Sequence, residues 1–383
     1  MTICIPRETG VDWTKYNRSD ADKLRWILST CLRQASKSNN PKQAFPLSSR
    51  VLKAYCGRGY SRLRDYLCEV GAIEAVTYRN GARYYDGHAM LFRVPAEVLN
   101  GPREWVSVSW KFAKRAGNAK RALADEVISE LHGGRELLRC LDRVSLDAGG
   151  ALGYLSLLEG LETPNRLRAR EVAVRGWDHY HTNYQKRTGR LYSPLANLPR
   201  DLRSFVRVRG VDGPLCAVDA KNCHPFILSA LYAVDTGDQE PLQHTSSGTF
   251  YEAILTYCPH LTRDHVKREV LVSVYDWRRV PFSDVGKALT QAFPDFWAWI
   301  CDQRKRAGSR DHLANRISRI EGEWFLQAAV QLHRNTGAWV GTIHDCLVVP
   351  VAYRELARMY LEAYPLKRWG VVPTWDRKVW RQH

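Results

Sequence analysis

A chain of 383 residues, 45% apolar and 25% charged, is long enough for two or three domains and is neither a disordered nor a low-complexity polymer. Its 57 Lys and Arg outnumber 40 Asp and Glu, a net charge of +17 that points to a polyanionic partner, nucleic acid first and an anionic membrane surface second. No stretch reaches the ~18–20 apolar residues of a membrane span, and Arg7 and Glu8 interrupt the place where a signal peptide runs apolar. The ten cysteines form no CxxC pair and read as reduced thiols of a cytoplasmic protein, mostly core filler.

In chain order, Ser19 is a candidate N-cap for a helix whose inner face is Leu24, Leu28, Cys31 and Leu32. The polar run QASKSNNPK ends it. Leu47–Tyr55 and Ser61–Val70 read as two short helices separated by Gly57-Arg58-Gly59, with Gly71 closing the second. Ile73–Arg79 and Arg83–Val94 read as strands around an Asn80-Gly81 turn. This order resembles a winged-helix domain over 19–100. The resemblance makes Ser61–Val70 the recognition helix and the hairpin tip the wing, with Arg58, Arg62, Arg64 and Arg83 on phosphates or bases. A winged helix used only for packing or protein contact has the same pattern.

From Lys111 to Leu161 the chain reads helical, with breaks at Gly133-Gly134 and Gly149-Gly150. Residues 164–210 then hold eleven Lys and Arg against Glu171, Asp178 and Asp201, interleaved with Trp177, Tyr180, Tyr184 and Tyr192. Cations neutralise phosphates and rings stack on bases, so the mixture suits a strand-tracking groove; a solvated helix face over core aromatics is the plainer alternative.

Two carboxylates follow on apolar scaffolds. Leu215–Pro225 is an apolar run ending at Asp219 before the helix Phe226–Tyr232, which suits a buried strand presenting one acid, or an N-cap. Gly341–Pro350 reads as a tight hairpin with His344-Asp345 at its tip. Between them Arg263, Lys267, Leu271 and Tyr275 repeat every fourth residue, one face of a helix. Alone, such a stripe is commonly a solvated face.

Together these segments resemble the family A (Pol I-like) DNA polymerases and the single-subunit RNA polymerases. Thr188–Pro199, TGRLYSPLANLP, resembles the TGRL…NLQNIP segment that touches primer–template, assigning Arg190 and Asn197 to nucleic acid. Asp219 and the Ala220 carbonyl match motif A. Arg263, Lys267 and Tyr275 match motif B, R-x3-K-x7-Y-G. His344-Asp345-Cys346 stands where the DNA polymerases read HDE and the RNA polymerases HDS.

The resemblance implies an α+β right hand: a helical thumb over 101–205 and a palm over 206–383 with fingers at about 240–335. It implies two Mg²⁺ ions, with Mn²⁺ as substitute, held by Asp219, Ala220 and Asp345, while Lys267 binds triphosphate and protonates pyrophosphate. Arg263, Lys267, Leu271, Tyr275 and His224 would surround the nucleotide; His344 and Gln327, the latter on a helix with Glu321 and Glu323, would face the nucleic acid.

Three departures matter. Asp276 replaces the motif B glycine, and Leu271 an aromatic. His224 stands where the DNA polymerases carry a glutamate against the ribose 2′-OH, so a gate of His224 and Tyr275 would admit ribonucleotides. Phe293, Phe296, Trp297 and Trp299 read as packing. The expected protein is a polymerase or primase–polymerase of a plasmid or phage, monomeric when catalytic, in a bacterial or phage-infected cell. Its partners are DNA template, primer, RNA and dNTP or NTP. The rival from another class is a DNA-binding initiator or regulator with a catalytically inactive core.

Overall fold

A computed structural model describes residues 1–35, 44–76, 90–177, 182–275, 283–306 and 312–381. Helices predominate, with short strands set between groups of them. In order they are β1 (Thr2–Pro6), α1 (Arg18–Ala35), β2 (Phe45–Pro46), α2 (Ser49–Cys56), α3 (Tyr60–Glu69), β3 (Glu74–Val76), β4 (Leu91–Arg93), α4 (Ala96–Asn100), β5 (Arg103–Ser107) and α5 (Trp110–Glu130). Next come α6 (Gly134–Leu141), β6 (Val144–Leu146), α7 (Ala148–Leu157), α8 (Pro164–Arg175), β7 (Asn183–Gln185), β8 (Arg190–Tyr192), α9 (Pro194–Asn197) and β9 (Val206–Val208). The remainder is β10 (Leu215–Ala220), α10 (Cys223–Thr236), α11 (Glu240–Ser247), α12 (Phe250–Leu255), α13 (Arg263–Tyr275), α14 (Asp284–Ala292), α15 (Pro294–Arg306), α16 (His312–Thr336), β11 (Gly341–Ile343), β12 (Cys346–Pro350), α17 (Arg354–Trp369) and β13 (Trp375–Trp380).

The chain divides into two compact units. One comprises residues 1–125, 146–181 and 197–206; the other comprises 126–145, 182–196 and 207–383. Residues 101–205, read from sequence as a thumb, contribute to both.

The first unit is built around α1, whose Leu24, Ile27, Leu28, Cys31 and Leu32 are buried together with Leu52, Leu63, Leu67 and Phe92. Asn17 caps this helix: its side chain accepts from the Asp20 N–H at 3.0 Å and its carbonyl from Ala21 N–H at 2.9 Å. The cap is two residues before the expected Ser19, because Asn17 lies where its oxygen meets the third free donor. α2 is capped by Ser48. Strands β2, β4 and β3 form one sheet in that order. Val76 pairs with Leu91, whereas a tight turn at Asn80-Gly81 would have paired it with Tyr85. The register of the described pairs therefore differs from the expected one; the expected tip, with Arg83, lies outside the described residues. Gly149 and Gly150 do not break a helix either. They form the first turn of α7, where Asp147 accepts from the Gly150 N–H at 2.9 Å and supplies the cap that glycine cannot.

In the second unit the sheet order is β11-β12-β10-β13, all antiparallel. β10, β11 and β12 are buried almost throughout, as their continuous apolar runs require, while β13 presents Arg377, Lys378 and Val379 at the outer edge. α16 and α17 pack together and against this sheet, with the Trp324 indole N–H donating to the Leu361 carbonyl at 2.7 Å. All ten cysteines are free and eight are buried. Phe293 and Phe296 are buried against Phe250, as packing residues. No described helix is long and apolar enough to cross a membrane.

Candidate active site

The 126-residue gap between the two aspartates is closed by the sheet. Asp219 lies opposite Cys346 in the β10–β12 ladder, and the Ala220 N–H donates to the Asp345 carbonyl at 3.3 Å. Asp345 follows His344 in a two-residue turn between β11 and β12. His344 has φ 51°, the left-handed backbone that such a turn takes at its first position, normally with glycine. Asn222, which leads from β10 into α10, has φ 56°. These two are the described non-glycine residues with positive φ, and both flank the carboxylates.

A charged network lies beside this pair. The β7–β8 hairpin crosses α16 at Gly322, where an added Cβ would stand 2.2 Å from the Gly189 carbonyl oxygen. That approach brings Arg190 onto Glu321, which is 0% exposed. The Arg190 Nε donates to Glu321 Oε1 at 3.1 Å and an Nη to Oε2 at 2.5 Å. His224 Nε2, on α10, also makes a very short contact with Oε2. Glu321, held ionised, can only accept, so the His224 Nε2–H donates to Oε2, and a protonated Nε2 has no lone pair left for the Arg190 Nη that approaches it at 3.0 Å.

Electrostatics follow from this packing. Burial alone would raise the Glu321 carboxyl, but His224 and Arg190 hold it below the usual range. Burial and then the Glu321 charge push Asp345 up, against the pull of His224 and Arg190. The Cys223 thiol is driven far above its ordinary value by burial and by the negative fields of Asp345, Glu321 and Asp219.

Tyr251, fully buried on α12, joins this site to the helix carrying the basic stripe. Burial raises its hydroxyl; Arg263 opposes the shift, and Asp345 and Cys223 add to it. Arg263 sits 5.3 Å over the Tyr251 ring and pairs with Glu252 at 2.6 Å. Lys267 is exposed and Leu271 half-buried on α13. Tyr275 ends that helix, and its side chain, like Asp276, lies outside the described residues.

The other expected contacts are distributed more widely. His344 meets the edge of Tyr192 at a centroid distance of 5.6 Å. Asn197 is half-buried at the end of α9. Gln327 is exposed two turns beyond Glu321 and lines a cavity of about 500 Å³ with Tyr184, Gly189, Arg319 and Glu323. In the first unit Arg58 is exposed, and Arg62 reaches Asp20 at 3.3 Å with its side chain 75% exposed. Arg64 instead pairs with Asp65 at 2.6 Å and covers the Phe92 ring, leaving 12% of its side chain exposed. Sequence reasoning missed Tyr251 and the role of Glu321. The signal for Glu321 was present: it falls on the buried face of α16, between Ile317 and Trp324.

Among the described residues no group of three or more His, Cys, Asp and Glu side chains is arranged to hold a metal ion by itself. The hard donors carried by the neighbouring backbone of β10 and the β11–β12 turn are Asp219, Asp345 and the Ala220 carbonyl, fewer than octahedral Mg²⁺ requires, so water and phosphate oxygens would complete the shell. A cation there would also offset the charge that makes ionised Asp345 costly. The donor set fits a hard divalent ion bound together with a phosphate substrate.

No family model and no curated protein matches the chain. Among solved structures the chain is similar to the polymerase domain of Pol1 from M. smegmatis, solved in complex with DNA primer-template and dNTP. The identity is 17% and the TM-score 0.41, over 71% of this chain and 65% of that one.

Proposed function

We propose that the protein is a template-directed nucleotidyltransferase that extends a DNA or RNA strand. The observation that carries this reading is the convergence of Asp219 and Asp345 at the β10–β12 ladder, beside the Arg190–Glu321–His224 network. The motif resemblance supports it, because the two acids, the basic stripe of α13 and the TGRL segment occur in the polymerase order.

In the reaction a strand 3′-oxygen attacks the α-phosphorus of a nucleoside triphosphate and pyrophosphate leaves. Divalent ions bound at such a site lower the pKa of the 3′-hydroxyl and neutralise the leaving pyrophosphate. Asp219, Asp345 and the Ala220 carbonyl would hold such ions. Arg263 and Lys267 grip the triphosphate, and Lys267 donates the proton that pyrophosphate takes up. Arg190, oriented by Glu321, faces the strand end with His344. His224 and Tyr275 set the choice between ribose and deoxyribose.

The three helices α1–α3 with the β2-β4-β3 sheet support a winged-helix reading of the first unit, in which Arg58 and Arg62 contact nucleic acid. A polymerase core with such a module suits a replication enzyme of a mobile element. The test is extension of a labelled primer on a DNA template with dNTPs or NTPs and Mg²⁺. Synthesis that stops on chelation and in Asp219→Asn supports the reading; full synthesis by Asp219→Asn overturns it.

A further inference from the structure

The first unit carries a second basic feature, separate from α3. From Lys111 onward α5 presents Lys111, Lys114, Arg115, Lys120 and Arg121 before its first acid, Asp125. Arg115 is turned back to the Cys56 carbonyl at 3.4 Å. Trp110, at the start of the helix, is 71% exposed, with Lys114 5.0 Å over its ring. Such exposure of an indole has no packing purpose within the unit.

Alongside this face runs a cleft of about 500 Å³. Trp26 and Tyr55 form one wall, stacked at 4.3 Å, with Gly117 and Lys120 of α5 and Arg175 of α8 around them. Arg175 covers the Trp105 ring at 5.1 Å, and its charge is shared with Glu171 at 2.8 Å. At 100° per residue Trp110, Lys114, Gly117 and Arg121 form one stripe of α5, and Gly117 is where that stripe meets the cleft.

Gly117 is the informative residue. Glycine destabilises the middle of a helix relative to alanine. A Cβ added there would meet no atom within 4 Å, so among the described residues nothing requires its absence. Close approach of something else to the helix backbone would.

We propose that α5 and this cleft bind a single nucleic-acid strand, with phosphates along Lys114, Lys120 and Arg121, a base stacked on Trp110, and another base in the cleft across Gly117. The stripe from Trp110 to Arg121 spans about 16 Å, roughly five nucleotides at the rise of one strand. The volume accommodates a base with its sugar. The cations supply the charge complementarity, and the exposed indole favours unpaired bases over duplex.

The test measures binding, not synthesis, so it is independent of the active-site reading. Fluorescence anisotropy follows a labelled oligothymidylate 12-mer across a salt series, with thymidine monophosphate and polyglutamate as competitors. Trp110→Ala should weaken binding roughly 5- to 150-fold. Lys114→Ala with Arg121→Ala should flatten the log–log salt slope by about 1.4, two single-strand contacts. Gly117→Ala should raise the melting temperature and yet weaken binding. Unchanged affinity in Trp110→Ala, or a Gly117→Ala protein that is more stable and binds as well, overturns the proposal. So does competition by the mononucleotide or by polyglutamate as effective as that of unlabelled strand, which would make the ligand a free nucleotide or an acidic protein.

Discussion

Glu321→Gln removes one charge and almost no volume, and it isolates the network around the candidate site. Glu321 is fully buried, paired with Arg190 and in hydrogen-bond contact with His224, whose side chains are 19% and 17% exposed. Breaking a buried pair from one side costs about 3–5 kcal/mol, because the remaining charge is stranded. Two features favour the lower end: both partners keep some access to water, and Asp345 loses a like-charged neighbour. The expected loss is about 3 kcal/mol at pH 7, read from urea unfolding with unchanged m. The pH dependence has a definite sign. A carboxyl held below its unfolded value contributes stability above that value, about 4.3 for Glu, and loses it as pH falls further. The gap between wild type and Glu321→Gln should be present at pH 7 and close as the acid range is entered below about pH 4. A loss under about 1 kcal/mol, or a gap that widens on acidification, would refute the placement of this charge.

Asp345 has the opposite sign. Its carboxyl is raised, so its contribution is favourable below the unfolded value and is lost as pH rises through the folded one. In metal-free protein Asp345→Asn should raise the urea midpoint at pH 7, with no gain at pH 3; a lower midpoint at pH 7 contradicts this. Gly322→Ala should cost about 1–3 kcal/mol, since its Cβ falls 2.2 Å from the Gly189 carbonyl oxygen and must displace the hairpin; wild-type stability would disprove the close crossing. Arg58→Ala with Arg62→Ala should weaken duplex DNA binding while leaving the unfolding midpoint within about 0.5 kcal/mol of wild type. Substitution is the cleaner perturbation, because deleting residues 1–100 would strip Val108, Phe112 and Leu123 of the core they share.

The sequence was most readable where chemistry and period coincide. Asp219 closes an apolar run that suited a buried strand as well as an N-cap, and the structure makes it a strand, while His344-Asp345 sits in the short gap between two more. The pairing of those strands had no local signal, and only the register Asp219 opposite Cys346 supplies it. Helix boundaries failed where a side chain competed for the cap: Asn17 displaced Ser19, and Asp147 turned a glycine pair from a break into a first turn. Glu321 was visible as an acid on an apolar helix face, but its partners come from residues 190 and 224, far away in sequence. Tyr251 carried no signal, since a buried tyrosine before a basic helix is ordinary until Arg263 is found over its ring.

The central claim is that Asp345 and Asp219 perform nucleotidyl transfer and do not merely shape a nucleic-acid-binding surface. Single-turnover primer extension with Mg²⁺, alongside binding of the same primer–template, tests it most directly in Asp345→Ala. Removing an essential group of this kind lowers the rate by at least about 10³-fold, while duplex binding stays within a few-fold of wild type. Wild-type extension by Asp345→Ala, or equal inactivity of the native protein with every nucleotide and template, would leave a binding protein with a silent core.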